Sequence, residues 1–111
     1  MSDRVRTYSK LSQEALRLLG KQIRAARKEQ RMSETDLAAR VGIARSTLQQ
    51  IEKGSPKVEA GLMFVAAALA GVTLFVPEPS RLSSRIDHMD DRLTLLPKSS
   101  RKPRREVKDD F

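Results

Sequence analysis

Ala44, Arg45, Ser46, Gln49 and Gln50 are the side chains whose types and spacing best suit a specific chemical task. Residues four apart share a helix face, so Arg45 stands over Gln49 and Ser46 over Gln50 in a helical segment. Arginine grips guanine O6 and N7 with two hydrogen bonds, and glutamine does the same to adenine N6 and N7. A helix carrying these groups outward suits the major groove of B-DNA. The competing reading of the same residues is a plain solvated helix face. Bond-breaking chemistry has no comparable set. The sequence contains no Cys and one His, His88, which removes thiolate nucleophiles and any multi-histidine metal site. It also lacks a phosphate-cradling glycine loop. Asp90-Asp91 and Asp109-Asp110 read as solvated charge, and His88 beside Asp87 as an exposed polar residue. No enzyme activity and no cofactor are expected.

The elements that must hold this face are short. Ser33 is a suitable N-cap, with Asp36 three residues on in a weak capping box, since Asp replaces the usual Glu or Gln. Leu37, Ala38 and Val41 form the apolar side of the helix that follows. Gly42 tolerates the left-handed backbone that ends a helix and turns the chain. Ile43 points inward, and the next helix runs from Ala44 to about Lys53 with Leu48 and Ile51 inward, stopped by Gly54. Small Ala38 and Ala39 permit a close crossing, and the apolar residues at 37, 41, 43, 48 and 51 fix its angle. The polar face of the second helix is left outward.

The flanking chain is read in the same way. Met1 to Lys10 is a polar, flexible arm. A helix is expected from about Ser12 to Gln30, with Ser12 as N-cap and Leu16, Leu19, Ile23 and Ala26 at helical spacing. Its other face carries Arg17, Lys21, Arg24, Arg27 and Lys28, a solvated stripe that in part lies near a potential DNA surface. After a loop with Pro56, a nearly all-apolar helix spans about Glu59 to Ala70, containing Leu62, Met63, Val65, Ala66, Ala67 and Leu69, and ends at Gly71. Such a helix is either central to its domain or meets a second copy.

Val72, Thr73, Leu74, Phe75 and Val76, closed by Pro77, give a strand signal. A lone strand leaves an unpaired edge, so pairing with the same strand of a second subunit is expected. The alternative is an extended segment packed on the helices. Ser80 to about Asp91 reads as a short helix with Leu82, Ile86 and Met89 on one side. Pro97, Pro103 and the basic residues Lys98, Arg101, Lys102, Arg104 and Arg105 read as a flexible tail. The expected organisation is an arm (1–10), a DNA-binding domain (11–71), a dimerisation strand (72–77) and a C-terminal helix with basic tail (78–111). The fold class is mainly α.

Composition agrees with a polyanionic partner. Lys and Arg total 22 against 14 Asp and Glu, a net charge of +8, and each phosphate neutralised by such a side chain releases counterions. No apolar run reaches the roughly 18 residues of a membrane span. Leu62 to Val76 comes closest, interrupted by Gly71 and Thr73. A soluble cytoplasmic protein without membrane contact is expected.

The stretch Ser33 to Gly54 closely resembles the Cro/repressor-type, or Xre, helix-turn-helix family. The resemblance extends to Gly71-Val72 and back through Leu19-Gly20-Lys21-Gln22-Ile23-Arg24. It implies a four- to five-helix lambda-repressor-like domain, acting as a homodimer and repressor on a palindromic operator in double-stranded DNA, associated with a bacterial nucleoid. It places base contacts on Ala44, Arg45, Ser46, Gln49 and Gln50, and phosphate contacts at Ser33, Thr47, Lys53 and Lys57. For Thr47 a surface hydroxyl is the competing reading. Many members carry Gln at the position of Glu34; a carboxylate there repels phosphate, so Glu34 is expected to serve the dipole at its helix N-terminus instead. More narrowly, the strand of Val72 to Val76 is similar to that of HipB-like antitoxins of persistence-type toxin–antitoxin modules. That implies a HipA-like kinase toxin as partner and an autoregulated operon. A stand-alone phage-like or metabolic repressor, and a protein or RNA adaptor that kept the fold, are the alternatives.

Overall fold

Ser9, rather than the expected Ser12, opens the first helix, α1 (Lys10–Glu29). Its Oγ accepts from the backbone N–H of Ser12 at 3.0 Å and donates to Ser12 Oγ at 2.9 Å. Both serines can cap. Lys10 and Leu11 are good helix formers with nothing between them to stop the helix, so the earlier serine takes the role and the expected arm is shortened. The computed structural model describes residues 7–74 and 79–98. The chain divides into two units, residues 1–74 and 75–111.

In the first unit α1 is followed by α2 (Glu34–Val41), α3 (Arg45–Lys53) and α4 (Ala60–Ala70). Each buries one stripe. Ile23 of α1, Leu37 and Ala38 of α2, Leu48 and Ile51 of α3, and Met63, Ala66, Ala67 and Ala70 of α4 form the core. Leu16, Leu19, Ala26, Val41, Ile43 and Val58 close around it. Both α1 and α2 pack on α3 and on α4. Of the two small residues expected at the α2–α3 crossing, Ala38 is buried, while Ala39 lies about a quarter-turn round the helix and is exposed. At the turn, Gly42 adopts φ 88°, ψ 33°, and its N–H and that of Ile43 both reach the Ala38 carbonyl, at 2.8 and 3.0 Å.

Gly20 sets how closely α1 meets the end of α3. A Cβ built on it lies 2.5 Å from the carbonyl oxygen of Glu52 and 2.6 Å from that of Ile51. Those are backbone atoms that cannot swing aside. Glycine inside a helix costs up to about 1 kcal/mol against alanine, yet here the close approach requires it. Gly20→Ala is expected to lower stability by about 1–3 kcal/mol in urea denaturation, as overpacking does. Unchanged stability would mean that α1 and α3 separate at no cost.

Arg27 departs from the expectation of a solvated stripe. It is 5 % exposed and faces the core side of α1 with Gly20 and Ile23. Its spacing of seven from Gly20 and four from Ile23 puts it on that face; only its charge argues for water. α4 departs in the other direction. It is apolar nearly all round, but Phe64, Val65 and Leu69 are 38–50 % exposed in the single chain.

Beyond α4 the N–H of Val72 bonds to the Ala67 carbonyl at 2.8 Å and its side chain packs against the core. Thr73 and Leu74 are exposed, and there is no strand among the described residues. A strand that pairs with another copy has no ladder within one chain, and Phe75, Val76 and Pro77 lie outside the described residues. In the second unit a fifth helix, α5 (Pro79–Leu95), runs four residues past the expected end. No stop signal stands between Asp91 and Pro97. No described helix is long and apolar enough to cross a membrane. The remainder of the expected arm (1–6) and of the tail (99–111) also lies outside the described residues.

Candidate nucleic-acid interface

The start of α2 is fixed by the capping box. Ser33 Oγ accepts from the N–H of Asp36, and the N–H of Ser33 donates to Asp36 Oδ2, both at 3.0 Å. Asp36 therefore does the work of the longer Glu. The backbone N–H of Ser33, then its hydroxyl, hold the Asp36 carboxyl below the usual carboxylate range. The Ser33 hydroxyl is an acceptor here, and a hydroxyl still has one hydrogen to donate.

α3 starts from Ala44, whose extended backbone (φ −70°, ψ 152°) is followed by no side-chain cap. Its carbonyl accepts from Thr47 and Leu48. Leu48 and Ile51 turn into the core, so the opposite side turns out. Ala44, Arg45, Ser46 and Gln50 are exposed, and Thr47 and Gln49 half-buried. At the far end Glu52 is drawn inward by Arg27. Arg27 Nε donates to Glu52 Oε2 at 2.7 Å, and a terminal nitrogen donates to Oε1 at 3.0 Å. The other terminal nitrogen reaches the Met32 carbonyl at 3.0 Å. The bidentate ion pair, each side chain only 6 % exposed, ties α3 to α1 and to the loop before α2. Sequence reading missed this pair. The available signal was a cation at the core spacing of α1 together with a lone carboxylate next to buried Ile51.

Glu34, the first residue of α2, does more than face a helix dipole. Its Oε1 accepts from Arg45 Nε at 2.8 Å and from Gln49 Nε2 at 3.0 Å. Those bonds, Arg45 first and Gln49 second, hold its carboxyl below the usual range. Two of the expected base-reading side chains are thus gathered by one carboxylate oxygen. The clamp orients them without exhausting them. Arginine has five N–H donors, so the two terminal nitrogens of Arg45 keep their fork, and the Gln49 amide keeps its carbonyl and a second N–H.

Basic residues flank this face. Tyr8, Gln13, Arg17, Gln50, Lys53 and Lys57 line one groove, and Arg24, Glu34, Gln49 and Lys53 line a second concavity. Arg17 and Arg24 are seven residues apart on one face of α1, which brings part of the expected basic stripe beside α3. No cluster of three metal-ligating residues occurs among the described residues. Residues 23–75 match a family model described as helix-turn-helix; no curated protein and no solved structure matches the chain. The matched segment begins within α1 and contains all of α2, α3 and α4.

Proposed function

We infer that this chain, whose residues 23–75 match a helix-turn-helix family model, is a DNA-binding transcription regulator that acts as a homodimeric repressor on a palindromic operator. The observation that carries the reading is the two-sidedness of α3: Leu48 and Ile51 are buried while Ala44, Arg45, Ser46 and Gln50 stand exposed. Arg45, Ser46, Gln49 and Gln50 read base edges, with Ala44 supplying apolar contact. Ser33, Thr47, Lys53 and Lys57 hold phosphates, assisted by Arg17 and Arg24. The net charge of +8 supplies the non-specific share of the affinity. The homodimer is supported by the exposed apolar side chains of α4 and by the β-type composition of Val72 to Val76.

The finer reading is a HipB-like antitoxin that binds a HipA-like kinase and represses its own operon. It is supported by the sequence resemblance of the segment after α4, and by that of Glu52-Lys53-Gly54-Ser55-Pro56 with the apolar α4 to regulators encoded beside such kinases. Co-purification of a kinase from the native cell favours it over a stand-alone repressor. The regulator reading is tested by selecting binding sites from random duplexes. The expected result is an enriched palindrome with half-sites about 34 Å, one helical turn, apart. Binding should weaken steeply with salt. Selection that enriches no sequence would favour an adaptor with the same fold.

A further inference from the structure

The leucine-rich face of α5 has a spacing that a single helix in water does not need. Leu82, Ile86, Met89, Leu93 and Leu96 follow one another at intervals of 4, 3, 4 and 3 residues. The N–H of Leu96 still bonds to the Arg92 carbonyl at 3.2 Å, so the last of them stays on the helical turn. All five are exposed, from 37 % for Leu82 to 61 % for Ile86. Alternating three and four is the heptad seam of a coiled coil rather than the broader stripe of a globular helix.

We propose that α5 pairs with α5 of a second copy as a parallel two-stranded coiled coil along this seam. The flanking charges choose both the occupant and the direction. In heptad terms Leu82, Met89 and Leu96 take position d, and Ile86 and Leu93 take position a. Arg85 and Arg92 then take g, and Ser83 and Asp90 take e. In a parallel pair each g residue faces the e residue five positions on in the other helix, so Arg85 meets Asp90 of the second copy, twice by symmetry. An antiparallel pair instead sets g against g and e against e, which brings Arg85 toward Arg92 in one register, or Arg92 toward Arg92 and Asp90 toward Asp90 in the other, so like charges meet either way. Ile86 at a with Leu82 and Leu96 at d follows the two-stranded pattern.

This inference goes beyond the DNA-binding reading and does not rest on it. A palindrome obtained by selection, with α5 unpaired, would leave the regulator intact and remove the coiled coil. The test uses the full chain. It has no native cysteine, so Leu82→Cys adds a single thiol at one end of the seam. Mild oxidation is expected to yield a disulfide-linked dimer. A link that forms only when Leu82→Cys and Leu93→Cys chains are mixed means antiparallel pairing and overturns the proposal. So does the absence of any link.

Sedimentation equilibrium supplies a second measure, with circular dichroism to confirm folding. Ile86→Asp should weaken self-association on the order of a hundredfold or more, because an aliphatic side chain leaves the seam from each of the two copies. Arg85→Asp and Asp90→Arg should each weaken it by about fivefold, and an equimolar mixture of the two should recover it. If none of the three moves the equilibrium, the seam meets something other than its own copy and the proposal falls.

Discussion

Glu52→Ala is expected to cost about 3–5 kcal/mol, because it leaves the Arg27 guanidinium buried with no counter-charge. Small domains are stable by only about 5–15 kcal/mol, so a large part of the first unit's stability goes with one carboxylate. The loss has three parts. Two charge-assisted bonds to Glu52 disappear; the remaining bond from Arg27 to the Met32 carbonyl cannot neutralise the cation; and water cannot readily replace the missing oxygens in a site this enclosed. Urea denaturation followed by circular dichroism measures the cost directly. The double variant Arg27→Met with Glu52→Leu should recover most of it, since an apolar pair of similar volume avoids the desolvation of two ions. A Glu52→Ala chain as stable as the parent would show that the pair does not hold α1 to α3.

Arg45→Ala is expected to cost about 1–3 kcal/mol of binding free energy per half-site, and so about 2–6 kcal/mol over a palindrome read by two copies. Arg45 is 64 % exposed along its side chain and pairs with an acidic neighbour at the rim, so the folded state should hardly notice the truncation. Binding and stability are therefore separable in one variant. Fluorescence anisotropy against the selected operator and a scrambled duplex makes the distinction. The operator should lose far more affinity than the scrambled duplex, and base preference should relax at one position of each half-site. Equal losses on both would assign Arg45 to the phosphate backbone.

The helices and turns were legible because local chemistry fixes them. Ser33 and Asp36 cap α2, Gly42 turns the chain, and Gly54 and Gly71 end α3 and α4 at the expected places. The outward face of α3 was legible for the same reason, since Leu48 and Ile51 leave it one possible orientation. What escaped the sequence depended on partners distant along the chain. Arg27 looks like a surface cation until Glu52, 25 residues on, is brought to it by the packing of α1 on α3. Glu34 looks like a helix-dipole residue until α2 and α3 cross and deliver Arg45 and Gln49 to it. The choice of Ser9 over Ser12 as cap turned on two equivalent candidates three residues apart, which composition does not separate.

The carboxylate at Glu34 also constrains how such a protein could be retargeted. The inward side of α3 carries the fold and its outward side the readout, so outward residues can be exchanged without rebuilding the core. Position 34 breaks that independence: a chain that replaced Arg45 would present a bare negative charge to a polyanion. New preferences should therefore arise by paired replacement, residue 34 changing in step with 45 and 49, and libraries that randomise α3 alone should yield few winners.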